Sequence, residues 1–222
     1  MVMPVNNIMK YMMMSEMMKG GNSNQNNMLP MMFMMDVIHG FRTIYPIPLA
    51  LGCSFDTELV ADCSRMAAKE ATAGGVQVTF TPMVDYVRDA RWGRVMETCG
   101  EDPFLNGIMG AAQVRGFQGK DLSDPMSIAT CVKHFAAYGG AESGKDYNGA
   151  EISEYSLREY YLPAYKDCLD AGAELVMPSF NTVNGIPVNG NSHLMLEILR
   201  DEWGFDGVVI SDWGAISQCI SH

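Results

Sequence analysis

The chain has 222 residues, of which 48% are hydrophobic and 18% are charged, so it can bury a sizeable core and is not a disordered tail. Fifteen Lys and Arg against 26 Asp and Glu give a net charge of -11, which disfavours nucleic acid and anionic lipid as partners. No run of 18 or more apolar residues appears, so we expect no membrane-spanning helix. The six Cys lack a C-x-x-C pair and are expected to be reduced thiols of the core.

Residues 1–30 form a methionine-rich segment ahead of the regular part of the chain. Its Met clusters keep neither a helical nor a strand period, and we expect a short helix over residues 7–18 followed by a polar loop. Lys10, Glu16 and Lys19 interrupt the apolar stretch, so no secretory signal peptide is evident and the localisation is not predicted. A Met-lined Cu(I) site is disfavoured, because no His or Cys accompanies the thioethers.

From residue 31 onward, short apolar runs typical of buried strands alternate with helical patterns. The predicted strands span residues 31–36, 78–82, 127–132, 174–178 and 207–211. Helix-start signals are found at Thr57, at Asp102 before Pro103, at Ser153 or Ser156, and at Ser192. The third of these helices is expected to run to Gly172 with Pro163 inside it. Alternation of strands and helices predicts an α/β domain with a parallel sheet and right-handed crossovers.

Polar or ionisable residues follow the end of each predicted strand, as in a barrel whose active site lies at the carboxyl ends of its strands. These residues are Asp36 and His39, Asp85 and Arg88, Lys133 and His134, Ser179 and Asn181, and Asp212 and Trp213. An open doubly wound sheet is the alternative, but no G-x-G-x-x-G turn follows the first strand. We therefore predict an incomplete (β/α)8 barrel of the TIM type, with about five βα units over residues 31–222. Because eight units typically take about 250 residues, the chain is expected to be truncated.

Three short motifs carry ionisable groups that suit catalysis. Lys133 and His134 are adjacent, and a local bend is needed for both side chains to reach one ligand, since neighbours on a strand face opposite ways. The segment R-D-A-R-W-G-R at 88–94 contains three guanidinium groups, which can bind vicinal hydroxyls or a carboxylate. Asp212 emerges from a buried strand, where a carboxylate is costly unless paired. Each motif alone also fits a structural role, as a surface Lys beside a buried His or as a solvated charge run.

Together, and in this order, the motifs resemble the N-terminal catalytic domain of glycoside hydrolase family 3, of the β-glucosidase and β-xylosidase type. The resemblance covers about residues 30–216 and rests on D-V-I-H-G-F-R-T-I-Y-P-I-P-L-A-L (36–51), R-D-A-R-W-G-R with G-E-D-P (100–103), K-H-F-A-A-Y-G (133–139) and V-V-I-S-D-W (208–213). Ala90 stands where the family usually has Pro.

The resemblance implies hydrolysis of terminal non-reducing β-D-glucosyl residues by a retaining double displacement, with a β-glucoside or another β-linked oligosaccharide as substrate and no cofactor or metal. Asp212 matches the catalytic nucleophile. The residues that match the sugar-binding positions are Asp36, Arg94, Lys133, His134, Met177, Phe180 and Trp213. Phe180 falls where many members have Tyr, so a phenol hydrogen bond is expected to be lost there. Arg94, Lys133 and His134 are expected to converge near Asp212 and to favour its ionised form.

The acid/base partner has no clear match. The family's N-acetylglucosaminidase-like branch uses a His just after K-H-F, where this chain has A-A-Y-G-G-A-E. In the β-glucosidase branch the acid is a Glu of a C-terminal α/β domain, which we expect to be absent here, and the fragment alone is then expected to be inactive. The in-chain substitutes are Glu97, Glu101, Glu142 and Glu151.

Two other functions fit parts of the pattern. A Schiff-base lyase of the aldolase type would use Lys133, which follows a barrel strand. A barrel fragment that binds sugar without catalysis is the third interpretation. The oligomeric state is not predicted.

Overall fold

The computed structural model describes residues 32–221, and the predicted helix at residues 7–18 lies outside the described residues. The described chain contains a five-stranded parallel sheet and a two-stranded antiparallel hairpin. The strands are β1 (Met34–Met35), β2 (Val78–Thr79), β3 (Ala129–Phe135), β4 (Leu175–Pro178), β5 (Thr182–Val183), β6 (Ile186–Pro187) and β7 (Val208–Val209). The parallel strands are ordered β1-β2-β3-β4-β7, so consecutive βα units are neighbours, as the predicted barrel requires.

Helices connect the strands and cover the sheet. The α-helices are α1 (Pro48–Gly52), α2 (Thr57–Ala73), α3 (Pro103–Gln118), α4 (Glu154–Ser156), α5 (Pro163–Asp170) and α6 (Ala215–Gln218). Two segments, Leu157–Tyr161 and His193–Glu202, are π-helical. Short 3-10 turns span Val95–Glu97, Tyr138–Gly140, Glu142–Gly144, Val188–Gly190 and Cys219–Ser221. In the part of the chain that the structure describes, no helix combines the length and hydropathy that crossing a bilayer requires.

The helix starts agree with the sequence at two positions and differ at others. Ser153 caps α4 as predicted, because its Oγ accepts a hydrogen bond from the Ser156 amide at 3.2 Å. Asp102 caps α3 as predicted, because its Oδ1 accepts hydrogen bonds from the amides of Phe104 and Leu105 at 2.9 and 3.2 Å. The prediction of Thr57 as the cap of α2 is wrong: Asp56 Oδ1 accepts from the Leu59 amide at 3.0 Å.

The two later helices also differ from the prediction. The single helix expected from Ser153 to Gly172 is divided, since Pro163 lacks an N–H and begins α5 as its first residue. The side chain of Ser192 forms no cap hydrogen bond, and Asn191 Oδ1 accepts from the Leu194 amide at 3.3 Å instead.

The β5–β6 hairpin was not predicted. Its two-residue turn is Asn184-Gly185, and both residues have positive φ, at 51° and 80°. A type I′ hairpin turn needs this conformation at both positions, which explains the Asn-Gly pair. The hairpin follows β4 and lies next to the carboxyl end of the parallel sheet.

Two apolar layers hold the sheet. One face packs against the helices through a large buried cluster that includes Val132 and Val176 of the central strands. The other face carries Val78, Cys131, Leu175 and Met177, with Met34 and Ile210 partly buried beside them. The central strands are therefore covered on both faces, which accounts for their continuous apolar sequences.

Candidate active site

The carboxyl ends of the parallel strands bring the predicted ionisable residues to one edge of the sheet. Asp36 follows β1, Lys133 and His134 lie just before the last residue of β3, and Asp212 follows β7. Alternation along β3 alone directs Lys133 to the face of Cys131 and His134 to the face of Val132. The register between β3 and β4 shifts between Lys133 and Phe135, and the Lys133–His134 peptide bond is cis. The register shift marks the local irregularity of β3 that the adjacent pair requires.

Lys133 and Asp36 form an ion pair across the sheet. The Lys133 Nζ lies 2.6 Å from Asp36 Oδ1, and the two side chains are 5% and 58% exposed. A buried ammonium needs a close counter-ion, and the Asp36 carboxylate supplies it from the solvent side. The exposed part of Asp36 leaves carboxylate surface for a ligand.

His134 lies between Asp212 and Asp85. Its Nε2 lies 3.4 Å from Asp212 Oδ2, and the ring is fully buried while the Asp212 side chain is 17% exposed. The opposite ring nitrogen, Nδ1, lies 2.9 Å from Asp85 Oδ2. Burial lowers the pKa of the imidazole, with Asp85 acting in the opposite direction and Arg94 and Lys133 reinforcing the decrease. A neutral ring is therefore placed between two carboxyl groups.

Arg94 forms an ion pair with Glu97. Its guanidinium donates to both carboxylate oxygens of Glu97, at 2.7 and 3.1 Å, and its Cζ lies 5.6 Å from the centre of the Tyr138 ring. Burial opposes the charge of Arg94, but the bonds to Glu97 and the field of Asp85 raise its pKa overall. Arg94 and Lys133 therefore pair with Glu97 and Asp36, and of the three cationic residues expected near Asp212 only His134 is within ion-pair distance of it among the described residues. Their joint effect on the charge of Asp212 stays a prediction.

The three remaining predicted sugar-binding residues lie in different environments. Trp213 is 91% exposed, and its amide donates to Asp212 Oδ1 at 2.6 Å. Phe180 contacts Tyr147, with ring centres 4.9 Å apart, on the wall of a cavity of about 240 Å³. Met177 is only 4% exposed and belongs to the apolar cluster under the site. Met177 thus supports the floor, and its predicted contact with sugar stays a prediction.

Several residues of this region were absent from the predicted site. Asp85 is buried and contacts His134, while Tyr138 packs edge-on against His134 with ring centres 5.1 Å apart. Tyr147 arrives from the loop after β3. Asp85 had a sequence signal, since it follows the second strand, but its partner is 49 residues away along the chain.

Two histidines give a direct test of these environments. The pKa of His134 is expected below the ordinary value of 6.5, because the ring is desolvated. The pKa of His193 is expected above it, because His193 contacts Glu197 at 2.7 Å and Glu154 at 3.0 Å. Titration of the imidazole Cε1–H resonances by NMR measures both, with His193→Gln used to assign the exposed ring. A His134 value above 6.5 would contradict the neutral ring.

The two shifts act on stability with opposite signs. The contribution of His134 is present above pH 6.5 and is lost as the pH falls towards its lowered folded value, because the unfolded state then binds more protons. The contribution of His193 is present below pH 6.5 and is lost as the pH rises through its raised folded value.

Comparison with known proteins identifies the family of the chain. A model of the family described as "Glycosyl hydrolase family 3 N terminal domain" matches residues 2–222. A periplasmic beta-glucosidase of Salmonella typhimurium is 47% identical over 194 residues, which cover 87% of this chain and 25% of that protein. A beta-xylosidase of Formosa agariphila is 36% identical over 211 residues, covering 89% and 29%.

A solved structure has the same fold. The beta-glucosidase from Listeria innocua superposes with a TM-score of 0.84 at 55% identity, over 87% of this chain and 27% of that one. The chain thus spans about a quarter of the length of these relatives. The predicted α/β fold and the incomplete barrel are confirmed, and this chain belongs to the glycosyl hydrolase family 3 N-terminal domain family.

Proposed function

We propose that the protein containing this chain hydrolyses terminal non-reducing β-D-glucosyl residues by a retaining double displacement. The observation that carries this proposal is the pair of linked contacts at the strand ends, Asp36 with Lys133 and His134 with Asp212. The relatives support the reaction class, since they are beta-glucosidases and beta-xylosidases. Structures of the Listeria innocua enzyme with laminaribiose and with glucose support a glucosyl ligand.

Asp212 acts as the nucleophile in this proposal. Its carboxylate is partly exposed, and its described contacts are the Trp213 amide and the nearby His134 ring. One oxygen is therefore oriented by the amide, while the other faces His134 at the site edge. Asp212 attacks the anomeric carbon with inversion to form a glycosyl ester, while the bond from that carbon to the leaving-group oxygen breaks and the oxygen takes a proton from the general acid. Water then hydrolyses the ester with a second inversion and regenerates the Asp212 carboxylate.

The other predicted residues hold the sugar. Asp36 and Lys133 offer an acceptor and a donor side by side, which suits two neighbouring hydroxyls. His134 Nε2 offers an acceptor next to Asp212. Arg94 binds a hydroxyl while it stays on Glu97, and Phe180 and Trp213 provide apolar faces for the ring and the leaving group. Met177 is assigned to the floor of the sugar site.

The acid/base is proposed to come from outside residues 1–222. Glu97 is engaged by Arg94, so it is a poor proton donor for a leaving group. Without a proton donor, hydrolysis is expected to be slower by a factor of about 10² to 10⁴. An aryl glucoside with an acidic leaving group is affected least, because that group can depart without a proton. The chain of 222 residues alone is therefore expected to be inactive on cellobiose, and full activity there would show that the acid lies within it.

Trapping of the intermediate tests the proposal. A 2-fluoro glucoside with a good leaving group is expected to label Asp212, as read by mass spectrometry of proteolytic peptides, and glucose is expected to be released as the β-anomer by NMR. A label on another carboxylate, or release of the α-anomer, would overturn the mechanism.

The Schiff-base alternative is not favoured by the site. An amine that attacks a carbonyl must be uncharged, whereas Lys133 Nζ is 2.6 Å from a carboxylate. Borohydride treatment in the presence of pyruvate separates the two functions, because only a lyase gives a reduced adduct on Lys133.

A further inference from the structure

Asp85 is a buried carboxyl group behind the site, and the hydrogen bonds of its side chain are to His134 and Tyr165. Its side chain is fully buried. Asp85 Oδ2 accepts from the main-chain amide of His134 and lies against Nδ1 of the same residue, both at 2.9 Å. Asp85 Oδ1 accepts from the Tyr165 hydroxyl at 2.8 Å.

Tyr165 ties this group to a helix. It lies on α5, and its hydroxyl also lies 2.7 Å from the carbonyl oxygen of His134, so one proton is shared between two acceptors. Both main-chain groups of His134 and one ring nitrogen are therefore engaged from behind the sheet edge. The ring has no freedom to rotate without breaking a buried hydrogen bond.

The other ring nitrogen has no hydrogen bond among the described residues. His134 Nε2 is buried and faces Asp212 Oδ2 at 3.4 Å. In a neutral imidazole one nitrogen carries the proton, and the hydrogen bond made by one nitrogen decides the state of the other. The charged groups that act on this ring are Asp85, Asp212, Arg94 and Lys133.

We infer that Asp85 is a positioning residue that holds His134 as the Nδ1–H tautomer, so that Nε2 faces Asp212 as an acceptor and never as a donor. This inference rests on the proposed function for the role of Asp212. With the opposite tautomer, Nε2–H would donate to Asp212 Oδ2. That hydrogen bond stabilises the Asp212 carboxylate before attack and weakens as the carboxylate loses its negative charge to the new ester bond. The Nε2–H tautomer would therefore raise the barrier to ester formation.

A purely structural role for Asp85 makes a different prediction. In that case Asp85 only anchors the end of β3, and the tautomer of His134 follows from other contacts. The state of the ring nitrogens separates the two possibilities, because anchoring of the main chain does not determine it.

The first measurement uses the unmodified protein. Long-range ¹⁵N–¹H correlation spectra of the His134 ring at pH 7 are expected to show a protonated Nδ1 and an unprotonated Nε2. A protonated Nε2, in either the Nε2–H tautomer or the imidazolium, overturns the inference without any substitution.

Substitutions of Asp85 then test whether this residue determines the tautomer of His134. In Asp85→Asn the amide oxygen must occupy the Oδ2 position, since two donors face it, and the amide nitrogen faces the Tyr165 oxygen. The Nδ1–H tautomer is therefore expected to survive. Asp85→Ala removes the acceptor, so Nε2–H is expected, with kcat lowered by about 10- to 100-fold and a smaller change in KM.

Tyr165→Phe is the matched control. It removes the hydroxyl of the same buried network and leaves Asp85 on His134, so the tautomer is expected to be unchanged. An unchanged tautomer in Asp85→Ala, or an Nε2–H ring in Asp85→Asn, would overturn the inference, and the Asn variant keeps it open to disproof if the Ala variant does not fold.

Failure of the inference is distinguishable from failure of the proposed function. A protein with the Nδ1–H ring that hydrolyses no β-glucoside disproves the function and leaves the tautomer assignment intact. A protein that hydrolyses β-glucosides with an Nε2–H ring on His134 supports the function and disproves the tautomer assignment.

Discussion

Replacement of Asp212 by Asn is expected to lower kcat on β-glucosides by about 10⁴-fold or more, or on the order of 5 kcal/mol in barrier, because no glycosyl ester can form. The substitution keeps the shape of the side chain, and the amide can donate to His134 Nε2 across the present 3.4 Å separation. The variant should therefore fold and still bind substrate. Steady-state rates on an aryl glucoside, with the protein that contains this chain, give the measurement.

The matched control is Asp206→Asn. Asp206 is an exposed carboxylate in the segment that leads into β7, so its neutralisation changes the net charge by the same amount without touching the site. Its kcat is expected to stay within a factor of two of the unmodified protein, by the general tolerance of surface positions. Residual activity of Asp212→Asn above about one per cent would place the nucleophile elsewhere.

The succession of strands and helices could be predicted from sequence because it depends on local patterns. β2, β4 and β7 lie within their predicted ranges, and Asp102 before Pro103 marks the start of α3. The misses have local causes as well. Asp56 and Thr57 are both good caps, and only the backbone conformation decides between them. The Asn184-Gly185 turn was a clear hairpin signal that the alternation of buried strands obscured.

The pairing of charges at the site could not be predicted from sequence. The motifs place Lys133 and His134 near a strand end and Arg94 in the long loop after β2, but which carboxylate each one contacts depends on how distant segments pack. Glu97 is three residues from Arg94 and was considered as a substitute acid/base, whereas both of its carboxylate oxygens accept hydrogen bonds from the Arg94 guanidinium. Asp85 contacts His134 only because β2 and β3 are neighbours.

Residues that match the same kind of position in the motif differ widely in solvent exposure. Met177 and Trp213 both match sugar-binding positions, but Met177 is 4% exposed and Trp213 is 91% exposed. Met177 pairs with Lys133 across β3 and β4, and the Lys stem and the Met side chain are both buried. A sequence motif gives the order of such residues and not their depth.

Removal of Asp36 is expected to destabilise the protein more than removal of Lys133, although the two form one ion pair. The Lys133 side chain is 5% exposed and that of Asp36 is 58% exposed. Asp36→Ala leaves a buried ammonium without its counter-ion. The expected loss in the free energy of unfolding is on the order of 3 kcal/mol, which is the lower end for a buried ion pair, because the Asp36 side chain is more than half exposed. Lys133→Met keeps an apolar stem in the cluster with Cys131 and leaves a carboxylate that water can solvate.

Urea unfolding of the single and double variants at pH 7 measures this asymmetry. The double variant Asp36→Ala, Lys133→Met is expected to recover most of the loss of Asp36→Ala, because neither charge remains. The control is Asp89→Ala, which removes the carboxylate of an ion pair of the same 2.6 Å length whose Arg91 side chain is 73% exposed, and which should cost clearly less than Asp36→Ala. Equal losses for Asp36→Ala and Asp89→Ala would mean that water reaches Lys133. The sugar hydroxyls would then meet a solvated lysine, and the tight donor–acceptor pair proposed for two neighbouring hydroxyls would not exist before substrate binds.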